Sequence, residues 1–464
     1  MKNAIVLLIL IFSTNMSAQD ITGKWYGKIN VMGTELLFGL DFSKKDAVYS
    51  GTMDIPQQNA KGIPLTSVTF DQKKLVFRFD PAQFAYTGEL NDTNIFEGIF
   101  SQNGQNYALQ LSREKSEEKK LNRPQEPKGP FPYAIEEVVF ENEKDKITLA
   151  GTLTTPQKED YPVAILISGS GPQDRNSEIL GHKPFWVIAD YLTRNGIGVL
   201  RIDDRGVGKS GGHHALSSSY DFAADVESAV RFLKSKKGVN PKKIGLIGHS
   251  EGGIIAPVVA SKDKSIHFLV LLAAPGIPCD ELMLEQTYLI GKVSGMNANE
   301  LAEAKKINQR TYAIVKSNKT DTDAQQALEV LFTEMYSQNP EFVSLSEADK
   351  KAALRQQIAP ILSPWYRNFI RFEPSVYLEK VSCPVLALNG EKDLQVPSNS
   401  NLEGIQKALK KGGNKKITVK EYSGLNHLFQ ACETGSTEEY GAIEQTFSPV
   451  VLTDIKDWIL SQTN

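Results

Sequence analysis

One pentapeptide near the middle of the chain has the composition of a catalytic turn. It reads Gly248-His249-Ser250-Glu251-Gly252 and lies between the apolar stretch "KKIGLI" and the helix-compatible stretch "GIIAPVVASK". A G-x-S-x-G sequence between a buried strand and a helix is typical of a nucleophile elbow, a strained turn that exposes the serine hydroxyl at the carboxyl edge of a sheet. The pattern predicts that Ser250 is a nucleophile.

Two later loops offer the partners that such a serine requires. A serine hydroxyl needs a base to remove its proton, and His427 in "EYSGLNHLF" follows a late predicted strand, a location that suits a general base. A carboxylate must orient that histidine, and "LNGEKDLQVP" contains Glu391 and Asp393. We favour Asp393 because it stands deeper in the loop, whereas Glu391 directly follows Gly390 and is expected to face solvent. The chain order Ser, Asp, His is the order of an α/β-hydrolase.

Backbone amides must stabilise the oxyanion of a tetrahedral intermediate, and each such donor lowers the barrier by roughly 3 to 4 kcal/mol. The residue after the nucleophile, Glu251, provides one backbone amide. A second amide is expected in the glycine-rich loop "SGSG" after an earlier strand, where Ser170 is favoured and Gly171 is the next choice.

The remaining residues with ligand chemistry are not spaced as a metal site. His213 and His214 are neighbours in a loop without an acidic or cysteine partner. The cysteines are too scattered for a disulfide framework or a zinc cluster: Cys279, Cys383 and Cys432. We therefore expect no metal.

Two other features are interpreted as structural rather than functional. His249 and His267 are interpreted as structural residues. The stretch "DDRGVGKS" ends like a phosphate loop, but Asp203 stands where the first glycine of that motif is required. No nucleotide and no other cofactor is therefore expected.

Composition limits the range of partners. The chain has 464 residues, 41% of them hydrophobic, and a formal net charge of -3, which provides no field for gathering nucleic acid. Its start, "MKNAIVLLILIFSTNMSAQD", has a short apolar stretch over residues 4–12, whereas a membrane span needs about 20 residues. This start predicts a signal peptide over residues 1–18 and an exported protein, periplasmic or secreted, with no membrane span after cleavage.

The elements that position these residues fall into regions of different periodicity. Residues 20–113 contain short alternating stretches bounded by Gly, Asn or Asp, which predict a small antiparallel β-domain, a barrel or a sandwich. A charged, proline-rich linker follows over residues 114–132. Residues 133–464 alternate apolar strands with amphipathic helices, which predicts a doubly wound α/β sheet. The alternation stops at about 277–380, where long helical stretches predict a cap.

Five separated motifs resemble the α/β-hydrolase superfamily, and more narrowly bacterial secreted esterases and serine-aminopeptidase-like hydrolases. They are "SGSGPQDRN", "IDDRGVGKS", "GHSEGG", "LNGEKDLQVP" and "SGLNHLF", within residues 133–464. The resemblance implies that Ser250 is the nucleophile, Asp393 the acid and His427 the base, and that the helical insertion is a cap. It also implies cleavage of a small-molecule ester through an acyl-enzyme, without a cofactor.

Three functions are weighed from the sequence. The favoured one is a carboxylesterase for short to medium acyl chains. An aminopeptidase would need carboxylates that hold the substrate amine, for which the cap offers Glu281 and Glu285. A noncatalytic protein would bind carbohydrate or envelope material through its β-domain. Several aromatic residues and one arginine that could serve these functions have structural interpretations too. In the β-domain, Trp25, Tyr26 and Phe84 are interpreted as core rather than as a ligand platform. In the cap, two interpretations stay open: the residues either line the pocket or hold the cap against the sheet. These residues are Trp365, Tyr366 and Arg367.

Overall fold

The chain divides into two compact units, which comprise residues 1–120 and residues 121–464. The signal peptide predicted over residues 1–18 lies outside the described residues. Within the described ranges, no helix is both long enough and apolar enough to cross a bilayer. The structure is a computed structural model that describes residues 20–31, 34–55, 60–80, 84–102, 105–115, 122–317 and 320–463.

The first unit contains one antiparallel sheet in the order β4-β3-β2-β1-β9-β8-β7-β6-β5. The sheet curls so that β3 also contacts β5. Its strands are β1 (Gly23–Val31), β2 (Thr34–Lys45), β3 (Val48–Ile55), β4 (Ala60–Pro64), β5 (Ser67–Asp71), β6 (Lys74–Phe79), β7 (Phe84–Leu90), β8 (Phe96–Gln102) and β9 (Gln105–Ser112).

Alternation of side chains places the aromatic core of this unit on one face of the sheet. Along β7 the buried residues are Phe84, Tyr86, Gly88 and Leu90, at every second position. Trp25 is buried beside Phe96, with 4.8 Å between ring centroids. Phe84 and Trp25 therefore belong to the core, while Tyr26 lies on the other face and is half-buried.

The second unit is built on a mixed sheet in the order β10-β11-β13-β12-β14-β15-β16-β17. The β10 and β11 strands form an antiparallel hairpin, β11 is antiparallel to β13, and all other pairs are parallel. Its strands are β10 (Tyr133–Asn142), β11 (Ile147–Pro156), β12 (Tyr161–Ile167), β13 (Gly198–Ile202), β14 (Val239–His249), β15 (Phe268–Leu272), β16 (Val385–Gly390) and β17 (Ile417–Tyr422).

Helices cover both faces of this sheet, so its central strands are apolar throughout rather than alternating. Every residue of β12, β15 and β16 is buried. One face packs against α2, α3 and α11, and the other packs against α1 and α12. These helices are α1 (Pro184–Arg194), α2 (Ser219–Ser235), α3 (Gly252–Lys262), α11 (Ser398–Lys411) and α12 (Pro449–Thr463).

Among the described residues between β15 and β16, where the sequence predicts a cap, seven helices are inserted. Several begin at hydrogen-bonded caps; for example, the Thr320 and Ser346 hydroxyls accept bonds from the amides of Asp323 and Asp349. The seven are α4 (Cys279–Val293), α5 (Ala298–Ser317), α6 (Asp321–Tyr336), α7 (Pro340–Ser344), α8 (Glu347–Ile361), α9 (Pro364–Ile370) and α10 (Pro374–Leu378). The predicted fold class, a doubly wound α/β sheet with a helical insertion after a small all-β region, is confirmed.

The start of the second unit runs along its surface without regular secondary structure. Arg123 donates hydrogen bonds to the carbonyl oxygens of Leu180, Gly441 and Ile443, at 2.8 to 2.9 Å. The Gln125 side chain accepts from the amide of Thr446 at 2.7 Å. Arg123 and Gln125, in the later part of the predicted linker (residues 122–132), therefore bind to the second unit itself.

Candidate active site

Ser250 occupies a sharp turn between β14 and α3. Its φ angle is +54°, a left-handed conformation that costs roughly 1 to 3 kcal/mol in a residue with a side chain. Its amide donates to the carbonyl of Leu272 at 2.9 Å, and its carbonyl accepts from the amide of Gly253 at 2.8 Å. These bonds hold the strained turn, and Ser250 lines a cavity at the carboxyl edge of the sheet.

The glycines around Ser250 are required by close backbone packing. A Cβ atom on Gly248 would lie 2.1 Å from the carbonyl oxygen of Gly252, and one on Gly252 would lie 2.2 Å from that of Ile167. A Cβ atom on Gly253 would lie 2.2 Å from the Cβ of Ala274. The turn can therefore approach its neighbouring strands only with glycine at these positions.

Asp393 and His427 form a buried hydrogen-bonded pair beside the same cavity. They follow β16 and β17, two adjacent parallel strands whose carboxyl ends meet at one edge of the sheet. The Oδ2 atom of Asp393 lies 2.8 Å from Nδ1 of His427, and the two residues are only 2% and 4% exposed. The Oδ1 atom accepts from the amides of Gln395 and Val396, each at 2.8 Å. The carboxylate is therefore fixed, and Nε2 is the ring nitrogen left for chemistry in the cavity.

The structure places Ser250 and His427 on the wall of one cavity and Asp393 behind His427. In the part of the chain that the structure describes, no hydrogen bond joins the Ser250 hydroxyl to the His427 ring. Catalytic hydrogen bonds of this kind are often long without substrate and tighten when it binds. The alternative acid, Glu391, is exposed and accepts instead from the Ser423 hydroxyl and the Gly424 amide.

His249 contacts His427, a feature that no spacing pattern in the sequence indicates. Its Nε2 donates to the backbone carbonyl of His427 at 2.9 Å, and the two ring centroids are 4.8 Å apart. Burial lowers the pKa of His249 to about 3, and the nearby His427 ring contributes to the decrease. A neutral His249 therefore keeps the Nε2 proton that fixes the backbone of His427.

The loop predicted to form the oxyanion hole lies directly against Ser250. A Cβ atom on Gly169 would be 3.2 Å from the Cβ of Ser250, and Ser170 lines the cavity. Asp204 holds both ends of this loop, because its carboxylate accepts from the Ser168 hydroxyl at 2.6 Å and from the Gln173 amide at 2.9 Å. Its own amide donates to the Gln173 carbonyl at 3.1 Å. Asp204 thus fixes the loop that carries the Ser170 amide.

Burial raises the pKa of Asp204 to about 7 from the ordinary value of 3.8. The charges of Glu251 and Asp225 add to the increase, and the hydrogen bonds from Ser168 and Gln173 oppose it. The folded protein therefore binds this proton more tightly than the unfolded chain does. The resulting stabilisation is complete below about pH 4 and is lost as the pH rises through about 7.

Replacing Asp204 with Asn is expected to remove this pH dependence. From pH 4 to pH 8, the free energy of unfolding of the wild type should fall relative to that of Asp204→Asn, by up to about 4 kcal/mol, since each pH unit contributes about 1.4 kcal/mol. Urea denaturation of both proteins across this range measures the difference. Asp457→Asn, at an exposed position on α12, is the matched control and should follow the wild type. Parallel profiles for the wild type and Asp204→Asn would contradict the expected proton uptake.

Glu251 provides a buried carboxyl group in addition to the backbone amide predicted from the sequence. The carboxylate accepts from the Ser219 hydroxyl at 2.5 Å and from Nε1 of Trp365, which lies 2.9 Å from both carboxylate oxygens. Burial raises the pKa of Glu251, and hydrogen bonds from Ser219, Trp365 and Ser170 oppose that increase. One side chain therefore joins the nucleophile turn to α2, to the cap helix α9 and to the oxyanion loop.

The cavity has a volume of about 300 Å³ and a mostly apolar wall. No aspartate or glutamate is among the described residues that line it. The lining comprises Gly169, Ser170, Gln173, Ser177, Ile179, Pro184, Phe185, Ile188, His249, Ser250, Leu272, Pro275, Leu282, Met283, Gln286, Trp365, Phe369, Gln395, Val396, His427, Leu428, Tyr440 and Phe447.

Of the cap residues singled out by the sequence, one lines this cavity and four lie away from its wall. In the cap, Trp365 lines the cavity, whereas Tyr366 packs in the cluster around Tyr312 and Arg367 pairs with Asp321. The two acids considered for amine binding also lie elsewhere: Glu281 is exposed, and Glu285 accepts from the Ser400 hydroxyl at 2.6 Å.

The strand order, the elbow at Ser250 and the Asp393–His427 pair define an α/β-hydrolase. Residues 185–431 match the family described as serine aminopeptidase, S33, and the chain belongs to this family. The matched region contains Ser250, Asp393 and His427. The oxyanion loop precedes it.

Two curated relatives are similar in sequence to part of this chain. Esterase EstD of Thermotoga maritima is 26% identical over 290 residues, which cover 62% of this chain and 60% of EstD. The uncharacterized protein YfhR of Escherichia coli O157:H7 is 27% identical over 173 residues, 34% of this chain and 57% of YfhR. The chain therefore spans less than two thirds of the length of either relative.

Among solved structures, the esterase Pf2001 of Pyrococcus furiosus is similar to this chain with a TM-score of 0.41 and 16% identity. The similarity covers 74% of this chain and all of Pf2001.

Proposed function

We propose that this chain hydrolyses carboxylic esters of short to medium acyl chains through an acyl-enzyme intermediate. The observation that carries the proposal is the buried Asp393–His427 hydrogen bond beside a cavity that also holds Ser250 in its strained turn. The name of the relative EstD, an esterase, supports the same reaction class.

In the first half of the reaction, Oγ of Ser250 attacks the ester carbonyl carbon while Nε2 of His427 takes its proton. Asp393 holds Nδ1 of His427 and stabilises the imidazolium that forms. The carbonyl oxygen becomes an oxyanion that accepts hydrogen bonds from the amides of Ser170 and Glu251. His427 then gives its proton to the departing alcohol oxygen, and the acyl group stays bound to Ser250.

In the second half, water replaces the alcohol. His427 takes a proton from the water as its oxygen attacks the acyl carbon, and the same amides stabilise the second oxyanion. Collapse of this intermediate breaks the bond to Ser250 Oγ, which recovers its proton from His427. The carboxylic acid leaves and the free enzyme is restored.

The cavity wall favours an uncharged acyl group over a peptide with a free amine. An aminopeptidase must hold a substrate ammonium group, and a buried ammonium needs a carboxylate partner. Since the described lining contains no carboxylate, and Glu281 and Glu285 lie elsewhere, this wall offers no such partner. The volume of about 300 Å³ lies at the small end of ligand pockets, which supports short to medium chains.

Comparing p-nitrophenyl butyrate with alanine p-nitroanilide and proline p-nitroanilide tests this proposal. We expect kcat/KM for the ester to exceed that for either anilide by at least about 100-fold, because the amine has no partner in the cavity. A higher kcat/KM for an anilide would favour the aminopeptidase. Failure of a fluorophosphonate probe to label the folded chain would favour the noncatalytic alternative.

A further inference from the structure

A tyrosine and a glutamine form a polar pair on the mostly apolar wall of the cavity. Tyr440 is 2% exposed, and its hydroxyl accepts a hydrogen bond from Nε2 of Gln395 at 3.0 Å. Both residues line the cavity that contains Ser250. Their neighbours on this wall include Leu428, Phe447 and Val396, which offer no polar side-chain atoms.

The backbone around this pair is held in place. Nε2 of His182 lies 3.0 Å from the carbonyl oxygen of Tyr440, and Nδ1 lies 2.9 Å from the Thr446 hydroxyl. The amide of Gln395 donates to Asp393, the same carboxylate that orients His427. The position of the polar pair is therefore fixed relative to the acid and base of the site.

The Tyr440 hydroxyl has one hydrogen left to donate. A phenol can accept a hydrogen bond and donate one, and Gln395 satisfies only the accepting role. Among the described residues, none accepts a hydrogen bond from the Tyr440 hydroxyl. Burial raises the pKa of Tyr440 far above its ordinary value, and the nearby charge of Asp393 adds to this increase, so the hydroxyl stays protonated. A buried donor without an acceptor is unfavourable, so an oxygen atom that enters the cavity is expected to bind there.

We propose that the Tyr440 hydroxyl, oriented by Gln395, donates a hydrogen bond to a neutral oxygen of the substrate that is remote from the reacting carbonyl. The substrate class is then an ester that carries a keto, hydroxyl or ether oxygen in addition to the ester group. The oxygen is uncharged because no lysine or arginine is among the described lining residues, and Asp393 lies nearby. This inference rests on the proposed ester hydrolysis and makes Tyr440 a residue that determines specificity.

Matched ester pairs test the inference and locate the oxygen. The acyl series compares p-nitrophenyl hexanoate with its 3-oxo, 4-oxo and 5-oxo analogues. The alcohol series compares pentyl butyrate with 3-methoxypropyl butyrate. In the wild type we expect kcat/KM for at least one oxygenated ester to exceed that of its hydrocarbon partner about tenfold or more, because a site built to donate a hydrogen bond discriminates against analogues without an acceptor. The series that shows the preference identifies the acyl or the alcohol part as the carrier.

The variant Tyr440→Phe should reduce this preference to twofold or less. Gln395→Met, which removes the bond that orients the hydroxyl, should reduce it as well and keeps the test valid if Tyr440→Phe does not fold. Tyr191→Phe is the matched control. The Tyr191 hydroxyl is half-buried and lies 3.0 Å from the hydroxyl of Thr453 on α12. Tyr191 does not line the cavity, so this variant should keep the wild-type preference.

Two results would overturn the inference while leaving ester hydrolysis intact. One is equal kcat/KM for the oxygenated and hydrocarbon members of every pair in the wild type. The other is a preference that both Tyr440→Phe and Gln395→Met retain. Absence of turnover on every ester in both series would instead overturn the proposed function, and this inference with it.

Discussion

Replacing Ser250 with alanine is expected to lower kcat for p-nitrophenyl butyrate by about 10⁵-fold or more, the size of effect seen when a serine nucleophile is removed. The variant keeps the backbone but loses the hydroxyl oxygen that forms the acyl-enzyme in the proposed mechanism. His427 and the oxyanion amides would remain, so only a small residual rate is expected. A fluorophosphonate probe should label the wild type and leave Ser250→Ala unlabelled.

Ser261→Ala is the matched control for this experiment. The Ser261 hydroxyl lies on the same helix, α3, and donates only to the Val258 carbonyl at 2.7 Å. This variant should keep kcat within about twofold of the wild type and should still be labelled. If Ser250→Ala folded like the wild type and kept its kcat within tenfold, Ser250 would not be the nucleophile.

Replacing Asp393 with asparagine is expected to lower kcat by about 10⁴-fold. The amides of Gln395 and Val396 both donate to one oxygen of Asp393, so the asparagine must place its carbonyl oxygen there. Its NH₂ group then faces Nδ1 of His427, which must accept that hydrogen bond. The ring proton moves to Nε2, and the nitrogen that should accept the serine proton is blocked. Steady-state kinetics at neutral pH, with urea denaturation to confirm folding, measures the effect.

Glu391→Gln is the matched control because Glu391 is the other acid of the same loop. Its carboxylate is exposed and accepts from Ser423 at 2.5 Å and from Gly424 at 3.0 Å, away from His427. We expect kcat within about twofold of the wild type. A loss in Glu391→Gln as large as that in Asp393→Asn would refute the choice between the two acids.

The fold class could be predicted because it depends on patterns within short stretches of chain. Continuous apolar runs such as β12 and β15 indicate strands covered on both faces, and the glycines around Ser250 indicate a tight turn. Two strands of the first unit, β4 and β5, are too short to be recognised individually from the sequence. Each has only five residues, and stretches of that length carry too little alternation to identify a strand.

Several contacts at the site could not be predicted because they join residues that are far apart in the chain. Trp365 reaches the carboxylate of Glu251 across 114 positions, and His249 reaches the backbone of His427 across 178. Neither contact can be inferred from the types of the residues involved. Glu251 and His249 were therefore considered only as a backbone donor and a structural residue, and their side-chain contacts became known from the structure.

By itself, the sequence of this protein determined the types and order of the elements and the serine turn, because local periodicity and glycine requirements act over a few residues. It also restricted the acid to Glu391 or Asp393. Tertiary structure alone decided which polar side chains meet in the cavity, including the Tyr440–Gln395 pair across 45 positions. The physical reason is that hydrogen bonds between distant side chains depend on how strands and loops pack, and this packing is a property of the whole fold.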